Sequence, residues 1–169
     1  MVPWKNNNTL GYRRPKKIVA RSRNHLLQLI DDRITTEGPN CDLNDIDVSH
    51  VTDMGWLFWT SSFNGDISRW DVSNVRNMQY MFRSSHFNGD ISQWDVSNVR
   101  DMCGMFKNSE FNGDISSWNV SRVKDMNGMF RDSSFNGDIS SWDVYSLEDW
   151  WNMFDNSPLE GKEPSWYRG

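Results

Sequence analysis

The sequence contains little cysteine and no long apolar run. Its only two cysteines among 169 residues are Cys41 and Cys103. They fall at different positions of a repeat and more than two repeats apart, whereas paired strands lie about 4.8 Å apart, so a disulfide between them is not expected. No apolar segment near the start suits a signal peptide or a membrane span, which predicts a soluble, cytoplasmic chain as written. If a signal was removed, we instead expect the cell surface.

Motifs of catalysis and metal binding are also lacking. The three histidines, His25, His50 and His86, occupy different positions of the repeat. No CxxC, HExxH, Ser/His/Asp order or glycine-rich phosphate loop accompanies them. We therefore predict that the protein is not an enzyme and that it has no catalytic residues, no cofactor and no metal site.

The charge is strongly uneven along the chain. The first 30 residues hold 7 of the 18 basic residues and none of the 23 acidic ones. A basic head on an acidic body is one pattern of nucleic-acid binding. It is equally the pattern of a head that packs against its own acidic body or is simply solvated. The candidate nucleic-acid residues are Arg13, Arg14, Lys16, Lys17, Arg21 and Arg23.

A repeat of 24 residues dominates the sequence. The motif FNGDIS begins at Phe63 and recurs at Phe87, Phe111 and Phe135, and a tryptophan follows it at the same interval each time. A degenerate first copy precedes these four. The units are therefore 39–62, 63–86, 87–110, 111–134 and 135–158, without an insertion. Such regularity predicts stacked units, each of which buries its apolar face only against its neighbours.

One unit predicts a short strand followed by a short helix. Trp70 and Val72 alternate with a polar residue, as strand residues do. Val75, Met78 and Phe82 then fall on one face of a helix. The fold class predicted from this pattern is an α/β repeat solenoid of the leucine-rich-repeat type, with five strand-plus-short-helix units.

The flanks predict caps for the two ends of this solenoid. Residues 1–38 form a basic arm and a capping strand and helix, in which Ser22 caps the helix and Gly38 stops it. Residues 39–158 form the repeats. Residues 159–169 form a C-terminal capping tail, which we expect to fold back over the last unit.

The repeat resembles that of the BspA-type leucine-rich-repeat surface proteins, which are abundant in mycoplasma lipoproteins. The resemblance covers residues 39–158 through the pattern FNGDISxWDVSNVxxMxxMF. It implies a short solenoid with a binding role and no chemistry. The asparagine ladder usual in leucine-rich repeats is absent, because valine stands at positions 75, 99 and 123.

Outward strand positions form a ladder of carboxylates, in which Asp71, Asp95 and Asp143 belong to the candidate binding residues. Like charges on adjacent strands repel, so the ladder needs a reason. It forms either an acidic binding face or a set of turn caps that accept backbone hydrogen bonds. The second interpretation is favoured because the aspartate is part of the repeat consensus.

Positions that vary while the repeat frame stays fixed are the remaining candidates for partner contact. Exposed aromatic residues among them are favoured interface anchors. Packing against the caps is the alternative for the tryptophans. These candidates are Trp56, Trp59, Arg69, Tyr80, Gln93, Tyr145 and Trp151.

These features together predict a non-catalytic module that binds a protein through one face of the solenoid. Within this class we consider an intracellular inhibitor or decoy of a host factor, encoded by a phage or mobile element. The alternatives are cell-surface adhesion, as the resemblance implies, and nucleic-acid binding by the basic arm. The sequence leaves open the partner's identity and whether the protein is a monomer or a dimer.

Overall fold

The computed structural model describes residues 17–168. Three regular elements occur in this part of the chain: strand β1 (Ile18–Val19), helix α1 (Arg23–Glu37) and strand β2 (Ile46–Asp47). β1 and β2 pair in parallel, with Ile18 opposite Ile46. The candidate residues Arg13, Arg14 and Lys16 lie outside the described residues.

Helix α1 covers the N-terminal end of the repeats. The Ser22 hydroxyl accepts a hydrogen bond from the His25 N–H and caps the first turn. Gly38, at a φ of 90°, ends the helix with its N–H bonded to the carbonyl of Ile34. Leu26 and Ile30 are buried and belong to the common core.

Consecutive units are joined by parallel backbone hydrogen bonds at matching positions. The N–H groups of Met78, Tyr80, Phe82 and Ser84 each donate to a carbonyl 23 residues further along, over 2.8–2.9 Å. The same set recurs between the later units. We call residues 39–166, joined in this way, the repeat stack.

The structure does not form the short helix that the sequence predicts for each unit. The segment from Val75 to Phe82 forms successive turns, because Tyr80 and Ser84 adopt left-handed backbone with φ of 53° and 54°. A right-handed helix cannot pass through such residues. Every second N–H group is thereby turned toward the next unit instead of toward its own.

The predicted strand at Trp70–Val72 also forms no paired strand. Turns flank it on both sides, and the isolated parallel pairs between units lie instead at Asp53, Asn77, Asp101, Asp125 and Asp149, and between Asp42 and Asp66. Within residues 39–168 only β2 is a regular strand. The class of α/β leucine-rich-repeat-like solenoid stays a prediction, since the units hold less regular structure than it assumes.

Aligned columns of aromatic rings form the core. Phe58, Phe82 and Phe106 stack with ring centroids 5.4 and 5.7 Å apart and nearly parallel planes. The column continues through Phe130 to Phe154. The core tryptophan of the second to fifth units is 4% exposed, and its indole N–H donates to a carbonyl 27 residues earlier, as from Trp94 to Ile67. One side chain thus supplies both apolar burial and a polar tie between units.

The C-terminal segment packs over the end of the fifth unit by continuing the repeat. Leu159 and Gly161 stand 24 residues after Phe135 and Gly137, and the Trp166 indole donates to the Ile139 carbonyl over 2.9 Å. The segment 159–166 is therefore the first half of a sixth unit. The tail thus lies over the fifth unit, with the Trp166 ring 6.3 Å from that of Trp142 and the Tyr167 ring 4.9 Å from that of Phe154, and it keeps the anchoring leucine, glycine and tryptophan of the repeat.

The two ends of the repeat stack present opposite backbone groups. Because the N–H groups in the turn segments point toward the following unit, carbonyls face outward at the first unit and N–H groups at the fifth. The Arg23 guanidinium donates to the Gly55 carbonyl over 2.9 Å, and the Glu160 carboxylate accepts from the Asn156 N–H, also over 2.9 Å. A cation thus caps the carbonyl end and a carboxylate caps the N–H end. No helix within residues 17–168 is long and apolar enough to cross a bilayer.

Candidate partner-binding surface

Three predicted aromatic residues come together beside the first two units. Trp56 lies 4.3 Å from Tyr80 between ring centroids and packs edge-on against Trp59 at 5.4 Å. The Arg83 guanidinium carbon lies 6.0 Å from the Trp56 ring and 5.4 Å from the Tyr80 ring. We call Trp56, Trp59, Tyr80 and Arg83 the aromatic surface. Trp59 is 51% exposed, so the surface is open to a partner.

The backbone under this surface is strained. Trp56 and Tyr80 have φ of 62° and 53°, whereas the equivalent position is Gly104, Gly128 and Asn152 in the later units. Left-handed backbone costs an ordinary residue about 1–2 kcal/mol, while glycine adopts it freely. The first two units therefore carry aromatic side chains at a position where the fold alone favours glycine.

Gly104 makes room for the Tyr80 ring. A Cβ added at Gly104 would overlap ring atoms of Tyr80, far inside van der Waals contact. The Tyr80 hydroxyl also shares a hydrogen bond with the Cys103 sulfur, 3.3 Å away. This bond, with burial, raises the pKa of Tyr80 to about 12, and burial raises the pKa of Cys103. Both groups are therefore neutral at physiological pH. The Tyr80 ring packs against Gly104, and its hydroxyl contacts Cys103.

The aspartate ladder serves as a set of turn caps. Asp71, Asp95 and Asp143 each accept a hydrogen bond from the N–H two residues later, over 3.1 Å. Hydrogen bonds from the side chain and backbone of Ser97 lower the pKa of Asp95. The geometry is that of the turn-cap interpretation, and each carboxylate is committed to its own unit.

Two further ladders escaped the sequence reasoning. Asn64, Asn88 and Asn112 each accept, through the side-chain oxygen, from the N–H of the next asparagine over 2.8 Å. This amide ladder uses the FNG motif itself, whose regular spacing is the signal that could have revealed it.

The second unforeseen ladder is a row of carboxylates at positions 101, 125 and 149. Burial, above all, raises the pKa of Asp125, with the neighbouring carboxylates of Asp101 and Asp149 adding to it. The Asn127 N–H donates to Asp125 over 2.8 Å, so this row also caps turns. Within residues 17–168, no group of three potential ligands is placed to hold a metal ion.

The other predicted residues lie apart from the aromatic surface. Arg69 is exposed and lies 3.7 Å from Asp42, and Gln93 is exposed. Tyr145 and Trp151, at 93% and 74% exposure, belong to the fifth unit at the opposite end.

The three predicted nucleic-acid residues that the structure describes differ in their exposure. Lys17 and Arg21 are exposed, whereas Arg23 is partly buried and bonded to the Gly55 carbonyl. Arg23 was predicted as a nucleic-acid contact, but the structure uses it to cap the repeat stack. Its guanidinium satisfies a carbonyl that has no preceding unit to pair with.

The sequence matches a family described as "Mycoplasma protein of unknown function, DUF285", twice, over residues 33–110 and 86–166. No curated protein and no solved structure matches it. The two matched segments overlap and follow the repeats from the end of α1 to Trp166. The chain belongs to this family.

Proposed function

We propose that this member of the mycoplasma repeat family is a non-catalytic module that binds a protein partner through its aromatic surface. The observation that carries the proposal is the pair Trp56 and Tyr80, whose tilted rings lie 4.3 Å apart on left-handed backbone. Strained backbone costs stability and persists where something else is gained. The description of the family names no function and no enzymatic activity, so it is compatible with an interaction protein.

The composition of the surface supports a protein partner. Tryptophan, tyrosine and arginine are the residues that most often dominate the binding energy of protein interfaces. Arg83 lies over both rings, so its charge is held in place before a partner arrives. Rings fixed in advance lose little conformational entropy on binding.

The repeat itself provides variants that remove the surface without disturbing the fold. Two later units carry glycine at the position of Tyr80. At the position of Trp59, later units carry a basic residue, namely Arg83, Lys107 or Arg131. Tyr80→Gly and Trp59→Arg therefore restore residues that this backbone already accommodates. Trp151→Asn is the matched comparison, since it replaces an exposed tryptophan by the residue of the preceding unit, Asn127.

Affinity capture from a lysate of the native host, with and without nuclease, tests the proposal. We expect one stoichiometric protein that survives nuclease, is lost with Trp59→Arg and is kept with Trp151→Asn. Recovery of nucleic acid alone, abolished by deletion of residues 1–21, would replace the proposal by the arm hypothesis.

A role in adhesion at the cell surface is the second candidate. The observation in its favour is the match to a mycoplasma family, together with the resemblance to BspA-type surface repeats. Labelling of intact host cells with an impermeant reagent tests it: labelled protein supports adhesion, and labelling only after lysis contradicts it. The hypothesis of a phage-encoded inhibitor or decoy gains nothing from the family match.

A further inference from the structure

The sequence contains five asparagine–glycine pairs, four of which have identical neighbours. These four lie in the motif FNGDIS of the second to fifth units, and the other pair is Asn127–Gly128. Asparagine before glycine is prone to an intramolecular reaction, because glycine has no Cβ to shield its nitrogen from the asparagine side chain. Since the motif is the same around the four pairs, a difference in their reactivity must come from the folded structure.

The fold requires the glycine in each motif. A Cβ added at Gly137 would lie 2.7 Å from a ring carbon of Phe135, and similar overlaps occur at Gly89 and Gly113. The Phe135 ring is 0% exposed, so it cannot move aside without loss of core packing. The repeat stack therefore keeps a reactive pair in each unit for a reason of packing.

The amide ladder holds three of the four asparagines. The side-chain oxygens of Asn64, Asn88 and Asn112 each accept a hydrogen bond from the N–H 24 residues later, over 2.8 Å. A side-chain amide held in this way must give up its hydrogen bond before it can rotate onto the nitrogen of its own glycine. The ladder therefore slows the reaction at these three positions.

The asparagine of the fifth unit, Asn136, lacks this hydrogen bond. The next position of the ladder is Glu160, whose N–H donates instead to the Ser157 carbonyl over 3.1 Å. Within residues 17–168, no group donates to the Asn136 side-chain oxygen, and the Gly137 N–H donates to none. Asn136 is also exposed, so its side-chain amide can rotate and is open to water.

The pair outside the motif is protected at both reacting groups. The Gly128 N–H donates to the Trp151 carbonyl over 2.8 Å, and Gly128 is buried. The side-chain amide of Asn127 donates to the Asp149 carboxylate over 3.4 Å. Of the five pairs, therefore, only the one in the fifth unit has both its side-chain amide and its glycine N–H without a hydrogen bond.

We propose that Asn136–Gly137 is a site of spontaneous deamidation, which yields aspartate and isoaspartate at position 136. The Gly137 nitrogen forms a bond to Cγ of Asn136, the bond from Cγ to Nδ2 breaks, and the Gly137 N–H proton leaves with that nitrogen as ammonia. Water then opens the resulting five-membered imide at either carbonyl. One opening leaves an aspartate in an ordinary main chain, and the other leaves an isoaspartate whose main chain runs through its β-carboxyl.

The modification changes the charge and the main chain of the fifth unit. Either product adds a negative charge two residues before the exposed Asp138. Isoaspartate also adds a methylene to the main chain directly after Phe135, whose ring packs 4.2 Å from that of Phe130 in the core. The aromatic surface lies in the first two units, so this inference is independent of the function proposed above.

Peptide mapping of the whole protein measures all five pairs at once. The protein is kept in mildly alkaline buffer made with water enriched in the heavy oxygen isotope, then digested with trypsin and analysed by mass spectrometry. Each pair lies in its own tryptic peptide, at residues 34–69, 84–100, 108–122, 125–131 and 132–162. Fragmentation assigns the modification to a residue, and the heavy oxygen marks deamidation that occurred before digestion.

We expect Asn136 to deamidate at least about threefold faster than the three ladder asparagines, which is the factor that one ordinary hydrogen bond supplies. The same incubation in urea should make the four motif pairs react at equal rates, because the ladder is then lost. Asn136→Gln should abolish the modification of its motif and leave folding unchanged, since the longer side chain would have to form a six-membered ring. Asn88→Gln, the matched variant within the ladder, should leave the rate at Asn136 as it is.

Four results would overturn the proposal. They are equal rates at the four motif pairs of the folded protein, faster reaction at a ladder asparagine, an intact Asn136 in folded protein under conditions that modify the urea-treated chain, and an advantage of Asn136 that persists in urea. None of them affects the partner-binding test of Trp59 and Tyr80, so the two proposals fail separately.

Discussion

The buried tryptophan column allows a quantitative test of how the units are held together. Trp94 is 4% exposed and its ring lies 6.5 Å from that of Trp70 and 6.3 Å from that of Phe82. Its indole N–H donates to the Ile67 carbonyl over 3.2 Å. Substitution of Trp94 therefore removes apolar burial, ring packing and an inter-unit hydrogen bond together.

Two substitutions separate these contributions. Trp94→Ala loses the ring, which costs about 3–5 kcal/mol, and leaves the Ile67 carbonyl without its partner. Trp94→Phe keeps most of the apolar contact and loses mainly the hydrogen bond, so we expect about 1–3 kcal/mol. Trp151→Ala removes a 74% exposed side chain and should change the free energy of unfolding by less than about 0.5 kcal/mol.

Urea unfolding followed by tryptophan fluorescence measures all three variants. Coincidence with the transition seen by circular dichroism checks that the stack unfolds as one unit, since repeat arrays can lose cooperativity. A cost below about 1 kcal/mol for Trp94→Ala would refute the stacking account. A cost near zero for the phenylalanine variant would refute the role of the indole hydrogen bond, and equal costs for the two variants would refute the contribution of ring burial.

Three further predictions follow from single contacts. Gly104→Ala should destabilise the protein by more than about 2 kcal/mol, because it combines left-handed backbone with overlap of the Tyr80 ring, and Tyr80→Gly should recover part of this loss in the double variant; thermal unfolding measures both. Arg23→Ala should cost about 1–2 kcal/mol by leaving the Gly55 carbonyl without its cap, whereas Arg21→Ala, at an exposed position, should cost almost nothing in the same assay. Hydrogen bonds from the following serines lower the pKa of Asp90 and Asp95 in the folded protein. The stability that these carboxylates contribute is therefore present above the unfolded pKa of about 4 and is lost as the pH falls through the folded pKa. Asp95→Asn, which copies Asn119, should make unfolding less sensitive to pH between about 2 and 5, and an unchanged pH profile would contradict this cap.

The repeat frame and its core positions could be read from the sequence. The 24-residue step alone fixes which phenylalanines and tryptophans form columns, because equivalent residues of stacked units become neighbours. The same step would have identified Leu159, Gly161 and Trp166 as a sixth half-unit, had it been followed past Ser157.

The conformation of each unit could not be read in the same way. Val75, Met78 and Phe82 have the spacing of a helix face, yet the structure satisfies that spacing with turns. The competing influence is the hydrogen bonding between units, which turns every second N–H outward and requires left-handed residues at positions such as 80 and 84. The signal available in the sequence was the glycine or asparagine that stands at the position equivalent to Tyr80 in the three later units.

The aromatic surface was predictable only in its parts. Trp56 and Tyr80 are equivalent positions of adjacent units, so their contact follows from stacking. Their strained backbone, the cation over both rings and the space provided by Gly104 depend on three-dimensional detail.

The most direct test of the central proposal is the dissociation constant of the captured partner for three proteins: wild type, Trp59→Arg and Trp151→Asn. The aromatic surface predicts that Trp59→Arg weakens binding at least about thirtyfold, the effect of losing an interface anchor worth about 2 kcal/mol or more. It also predicts that Trp151→Asn binds within about twofold of the wild type. Equal affinity of Trp59→Arg and wild type, or loss of binding only with Trp151→Asn, would contradict the account.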